Sequence, residues 1–202
     1  MARVSLKEQM QRVREDAIVD AVNQLLATKG YELMTVDEVA AEAGLAKASL
    51  YKLFTSKEEL AAAAMVRILE RALAQASALA QAQPEAGPLQ RLEAMVRWTL
   101  QVQLAGQMPS LPAQNSRLVS TLKTHRAYMD RLFELSDLLG SWIVEAQEAG
   151  EVNPQLPSEL VLFTMFARAC DPVLGMLRAS GQYDDEELVE LVLSTTFRGL
   201  VG

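Results

Sequence analysis

One cysteine and one histidine in 202 residues leave little room for several kinds of chemistry. Cys170 has no second thiol for an intramolecular disulfide, and the chain holds no C-x-x-C redox or metal motif. Metal sites assembled from several His or Cys ligands are excluded for the same reason. Cations are outnumbered, 19 Lys and Arg against 26 Asp and Glu. The resulting formal charge of −7 argues, as an average, against a general nucleic-acid binder. Clean hydrophobic runs are scarce as well. The most apolar stretch, Leu160 to Leu177, is interrupted by Arg168, Asp171 and Pro172, unlike a membrane helix. Near the start, Arg3, Lys7, Arg12 and Arg14 stand without the apolar core of a secretion signal. The expectation is a cytoplasmic protein with no membrane segment and no cofactor.

What the chain does have is helix-forming sequence. Half of the residues are hydrophobic, enough for a sizeable core. Alanine, leucine, glutamate and glutamine dominate, which reads as all-α. The most organised stretch is TVDEVAAEAGLAKASLYKLFTSKEEL, residues 35–60. Val36, Val39, Ala40 and Ala43 fall at i, i+3, i+4 and i+7, one face of a short helix. Thr35 and Glu38 form a capping box at its start, and Gly44 supplies the left-handed backbone that ends it. A second short helix follows over about Lys47 to Phe54, making a helix-turn-helix.

In that second helix Leu50 and Phe54 point toward the first, while Ala48 and Lys52 face away with Ser49 and Tyr51 on the flanks. From Ala43 through Lys57 there is no acidic residue, but Lys47, Lys52 and Lys57 are present. A small, polar, cationic face of this kind suits a DNA duplex, whatever the average charge. Ser56 and Glu59 make a further S-x-x-E box, and Lys57 stands beside the helix N-terminus it opens, a seat for phosphate.

These residues resemble the DNA-binding signature of the tetracycline-repressor-like (TetR/AcrR) transcriptional regulators. The match is carried by Thr35, Val36, Val39, Ala40, Ala43, Gly44, Ser49, Leu50, Tyr51, Phe54, Lys57, Glu58 and Leu60. Two residues depart from the pattern. Ala46 stands where the family usually has a Ser or Thr cap, and Leu53 where it often has Tyr or His. The resemblance implies that Thr35, Lys47, Ala48, Ser49, Tyr51, Lys52 and Lys57 meet a double-stranded DNA operator. Tyr51 and Lys57 would clamp phosphate, and Lys47, Ala48, Ser49 and Lys52 would read bases. It further implies a homodimer, a small-molecule inducer and action as a repressor.

The rest of the chain is expected to form an N-terminal three-helix domain, residues 1–56, and a larger C-terminal helical bundle, residues 57–202, with about nine helices in all. Helix 1 is expected from about Leu6 to Lys29, with Val13, Ala17, Ala21 and Leu25 inward and Gly30 as its stop. Arg3, Lys7, Arg12 and Arg14 read either as an arm toward neighbouring phosphates or as a solvated helix end. Helix 4, residues 57–83, links the two domains and is the natural lever between them. Helix 5 is expected over about Leu89 to Ala105, then one long helix from Ser116 to Ala149 with a break near Gly140. The last two helices span about Ser158 to Ser180, interrupted at Pro172, and Asp184 to Leu200.

Met95, Trp98, His125, Met129, Phe133, Trp142, Met165 and Phe166 are candidates to line a ligand pocket, although Met and aromatic residues at helical spacing also serve as plain core. The candidate dimer seam comprises Leu160, Phe163, Thr164, Ala167, Leu174, Leu177, Leu188, Leu191 and Val192. Arg168 and Asp171 are spaced to pair with each other or with a polar ligand group. Catalysis is disfavoured: His125 with Cys170 or a serine makes a triad only on paper, without nucleophile-elbow glycines, P-loop or dinucleotide fingerprint. A separate alternative keeps the DNA-binding half and gives the C-terminal half a protein partner in place of a small molecule.

Overall fold

A computed structural model describes residues 5–112 and 115–198. Arg3 of the expected basic arm and Leu200 of the last helix lie outside these residues. Among the described residues the chain forms ten α-helices and no strand. They are α1 (Leu6–Leu33), α2 (Val36–Glu42), α3 (Lys47–Leu50), α4 (Lys57–Ala82), α5 (Pro88–Leu104), α6 (Arg117–Thr124), α7 (Arg126–Glu148), α8 (Ser158–Ala167), α9 (Pro172–Ser180) and α10 (Asp185–Arg198). No single helix is long and apolar enough to cross a membrane, though α8 and α9, bent by 41°, pass on composition when taken together.

The chain divides into two compact units. The first contains residues 1–68 and 109–129, and the second contains residues 69–108 and 130–202. The division falls inside α4 and inside α7, so two helices begin in the first unit and continue into the second by chain.

The first unit is built on α1. Its N-terminus carries a capping box: Ser5 Oγ accepts from the Glu8 N–H and Glu8 Oε2 accepts from the Ser5 N–H. The buried face, however, starts only at Ile18 and continues through Val19, Ala21, Val22, Leu25 and Leu26. Val13 and Ala17, expected inward, are exposed, because the neighbours that could cover them come only alongside the later turns. Gly30 interrupts the helix at φ 75°, and a further short turn runs to Leu33. The Leu26 carbonyl, one turn before this break, accepts from the hydroxyl of Ser110 at 2.8 Å.

Around α1 the core closes with Val39 of α2, Leu50 of α3, and Leu60, Ala61, Ala62, Ala64 and Met65 of α4. Leu118 and Leu122 of α6 complete it. The three α4 alanines are fully covered, and their small side chains permit close helix approach. The long helix anticipated from Ser116 to Ala149 is therefore two. α6 ends at His125, whose Nδ1 accepts from the Tyr128 N–H at 3.2 Å and so opens α7. No break occurs at Gly140, which lies in regular helix within α7. The physical reason is burial: Leu118 and Leu122 belong to the first unit's core, whereas Leu135, Leu139 and Trp142 belong to the second's.

In the second unit α5 carries the inward face expected of it: Leu92, Met95, Val96, Leu100, Val102 and Leu104 are all buried. Ile143, Val161, Leu174 and Leu188 complete the same core from α7, α8, α9 and α10. The interruption anticipated at Pro172 is a turn of 3-10 helix over 168–170 followed by a fresh start. Asp171 supports both sides of it. Its Oδ1 accepts from the Val173 N–H at 2.9 Å, capping α9, while Oδ2 pairs with Arg168. Asp184 likewise caps α10, accepting from the N–H groups of Glu186 and Glu187.

Candidate nucleic-acid interface

α2 and α3 are fixed by their ends. Thr35 Oγ1 accepts from the Glu38 N–H at 3.2 Å, and Glu38 Oε2 accepts from the Thr35 N–H at 3.0 Å. Lys29 also pairs with this carboxylate. Hydrogen bonds from Lys29 first, then from Thr35, hold the Glu38 carboxyl below the usual range. At the other end Gly44 takes φ 64°, and the Leu45 N–H returns to the Ala40 carbonyl at 2.9 Å, closing a Schellman-type stop. Leu45 therefore leaves α2 in the direction that α3 needs.

Regular α-helix in α3 covers only Lys47 to Leu50, shorter than the span to Phe54 read from sequence. The helical course nevertheless continues, since the Tyr51 N–H donates to Lys47 O and the Phe54 N–H to Leu50 O. Ala46 makes no side-chain cap, as its methyl group requires. Leu50 is fully buried, and Phe54 and Leu53 are partly buried against the first unit's core. Leu53 thus serves packing where a polar residue would serve contact. Ala48, Lys52 and Tyr51 are exposed and Ser49 is half-covered at the edge of the same face. Burial of Leu50 is what turns this face outward.

The three lysines differ in their surroundings. Lys47 is exposed but pairs with Asp37 of α2 at 2.8 Å, and this hydrogen bond raises its pKa. A phosphate arriving at Lys47 must share it with that carboxylate. Lys52 forms no ion pair or hydrogen bond among the described residues. Lys57 has no carboxylate partner either, but it is held in place. Its Nζ stands 4.4 Å from the centroid of the Tyr31 ring and donates to the Glu32 carbonyl at 3.3 Å. Tyr31 is itself fixed by donating from its hydroxyl to Glu58 Oε1 at 2.9 Å. Burial, then this hydrogen bond, pushes the Tyr31 phenol well above its ordinary range, so it remains a donor.

The S-x-x-E box at the start of α4 is only half made. Ser56 Oγ accepts from the Glu59 N–H at 3.1 Å, but the Glu59 carboxylate turns to the N–H and hydroxyl of Thr55. Tyr31 was not among the residues singled out from the sequence. The stacking partner of Lys57 lies 26 positions away along the chain, and only tertiary packing brings the two together.

The other candidate sites divide by unit. Met95, Trp142 and Met165 are buried in the second unit's core, with Trp98 and Phe166 packed against it. His125 and Met129 fall in the first unit, and Phe133 is exposed. Along the expected dimer seam Leu160, Phe163, Ala167 and Leu191 are exposed and Thr164 and Leu177 are partly so. Leu174, Leu188 and Val192 are buried in the second unit's own core. Val173, Met176 and Tyr183, not anticipated, add further exposed apolar surface.

Residues 18–64 match the family model described as bacterial regulatory proteins, tetR family. No curated protein sequence matches the chain significantly. Among solved structures, the fatty acid degradation regulator FadR from Bacillus halodurans is similar at 23% identity, covering 93% of this chain and 96% of its own, with a TM-score of 0.68. FadR from Bacillus subtilis in complex with stearoyl-CoA is 18% identical, covers 92% and 98%, and has a TM-score of 0.67. A ketosteroid transcriptional regulator of Mycobacterium tuberculosis is 18% identical over 94% and 95%, with a TM-score of 0.62. Residues 18–64 are thus a TetR-family segment by sequence, set in a chain that has the fold of solved TetR-family regulators.

Proposed function

We propose that this protein is a cytoplasmic, ligand-responsive transcriptional repressor acting as a homodimer on a pseudo-palindromic DNA operator. The observation that carries the reading is the outward face of α3. Lys52, Ala48 and Tyr51 are exposed because Leu50 is fully buried, and Lys57, at the start of α4, is stacked on Tyr31. One short helix reads few bases, so a pair of them spaced by a helical turn of DNA is needed for specificity. The exposed apolar residues Leu160, Phe163 and Leu191 supply a face for the second subunit.

The inducer is a largely apolar small molecule. Support comes from the Met95, Trp98, Trp142, Met165 and Phe166 cluster, whose methionines and large rings can repack around such a ligand. Two proteins of similar fold are described with stearoyl-CoA and as a ketosteroid regulator, both consistent with an apolar ligand. The coupling runs along α4, which begins in the unit carrying α3 and continues into the unit carrying this cluster. By linkage, inducer and operator then weaken each other by the same factor.

Anisotropy titration of the full-length protein against an operator recovered by in vitro selection tests the reading. Lys57→Ala should weaken binding to every duplex and flatten the salt dependence by about one unit per subunit. Lys52→Ala should instead relax the choice of bases. An unchanged affinity and salt slope in Lys57→Ala would remove the phosphate role, and equal affinity for selected and unselected duplexes would remove the operator.

A further inference from the structure

The first turns of α1 take no part in the first unit's core. Residues 6–14 extend beyond the core that begins at Ile18, and all of them are exposed. An isolated helical extension of this length is marginal in water. This one is nevertheless closed by the Ser5–Glu8 box and by a hydrogen bond from Gln11 to Glu15 at 2.9 Å. One of its faces lines a recess that α3 also lines. Lys7, Gln11 and Arg14, at i, i+4 and i+7, line a recess of about 480 Å³ together with Ser49, Lys52 and four apolar side chains, Leu6, Met10, Leu45 and Leu53.

The charge in this recess is one-sided. Three cations line it and no carboxylate does. Lys7, Arg14 and Lys52 form no ion pair among the described residues, whereas Lys29, Lys47 and Arg67 are each paired with an acidic residue. Arg12 lies on another side of the helix. It is absent from the lining. Lys7 and Arg14 are about 10 Å apart along the helix axis, roughly the rise of three nucleotides along one DNA strand.

We infer that the start of α1 is a second DNA-contacting element, in which Lys7 and Arg14 bind the phosphates bordering the groove that α3 enters. The inference rests on α3 being the reading helix, because the recess is shared with its residue Ser49 and with Lys52 in the turn that follows it. A duplex is the occupant that fits, since it offers regularly spaced anions to unpaired cations that share a recess with the reading face. Of the four basic residues near the chain start, the geometry selects Lys7 and Arg14 and leaves out Arg12. This contact is sequence-independent, so it adds affinity and fixes register without changing which bases are preferred.

The test is anisotropy titration of full-length Lys7→Ala, Arg14→Ala, Arg12→Ala and Lys57→Ala over a range of salt, on the selected operator and on an unselected duplex of equal length. Lys7→Ala and Arg14→Ala should each weaken binding to both duplexes and lower the salt slope by about one unit per subunit. Arg12→Ala should behave as the parent protein, and melting temperatures should be unchanged, since all three side chains are exposed. If Lys57→Ala flattens the slope while Lys7→Ala and Arg14→Ala do not, the second contact is overturned and the reading helix stands. An Arg12→Ala effect as large as that of Arg14→Ala would also overturn it, leaving only diffuse charge. If none of the variants, Lys57→Ala included, differs from the parent, both readings fail together.

Discussion

The two candidate surfaces of this protein, one in each unit, are of opposite kinds. In the first, the exposed part of α3 is small, polar and cationic, and its single large apolar residue, Leu50, is buried. In the second, α8, α9 and α10 leave Leu160, Phe163, Val173, Met176 and Leu191 in the open. A surface meant for a polyanion must keep its charges unpaired and its backbone approachable. A surface meant for another apolar surface carries an exposed area that only a partner can cover. The α3 face therefore keeps its apolar side chain inside and its charge outside. The face formed by α8, α9 and α10 exposes the same aliphatic chemistry that makes the second unit's core.

The sharpest way to break this contrast is through α6, which comes late in the chain yet completes the first unit's core. Leu118→Ala removes a fully buried side chain and should cost about 2–5 kcal/mol. Chemical denaturation should show the loss, and DNA binding should fall with it although residue 118 is not on the proposed interface. Retained stability would mean that the first unit does not depend on α6. On the exposed face of the second unit, Phe163→Ser should leave each subunit folded but weaken dimerisation by about 2 kcal/mol or more, the scale of an aromatic hot spot. Sedimentation would report a shift toward monomer, and an unchanged dimer would place the seam elsewhere. The smallest effect concerns the uncapped start of α3. Ala46→Ser supplies the missing acceptor and should stabilise the first unit by about 1 kcal/mol, read as a raised melting temperature. A neutral or destabilising result would show that Ala46 is held for another reason.

Much of the first unit was legible because its signals are local. The Thr35–Glu38 box, the Gly44 stop and the inward Leu50 all follow from residues within a few positions of one another, and each stands as read. The short regular part of α3 and the half-made box at Ser56 are differences of local geometry within the same scheme. The break at His125 carries no Gly or Pro signal. It depends on Leu118 and Leu122 being buried in one unit and Leu135 and Leu139 in the other. Leu174, Leu188 and Val192 lie in the second unit's core and not on the expected seam, because periodicity marks an apolar face without saying what covers it. Val13 and Ala17 share the periodicity of the buried face of α1 yet are exposed, since the helix outruns its neighbours there.

Sequence by itself determined the all-helical class, the cap at Thr35, the turn between α2 and α3 and the outward direction of Lys52, because these depend on backbone preference and on spacing of 3.6 residues per turn. Tertiary structure alone decided that Tyr31 stacks under Lys57, that α6 joins the first unit's core, and that Lys7 and Arg14 share a recess with Ser49. Those contacts join residues far apart in the chain. Their free energy depends on which surfaces meet and exclude water, and no local pattern records it.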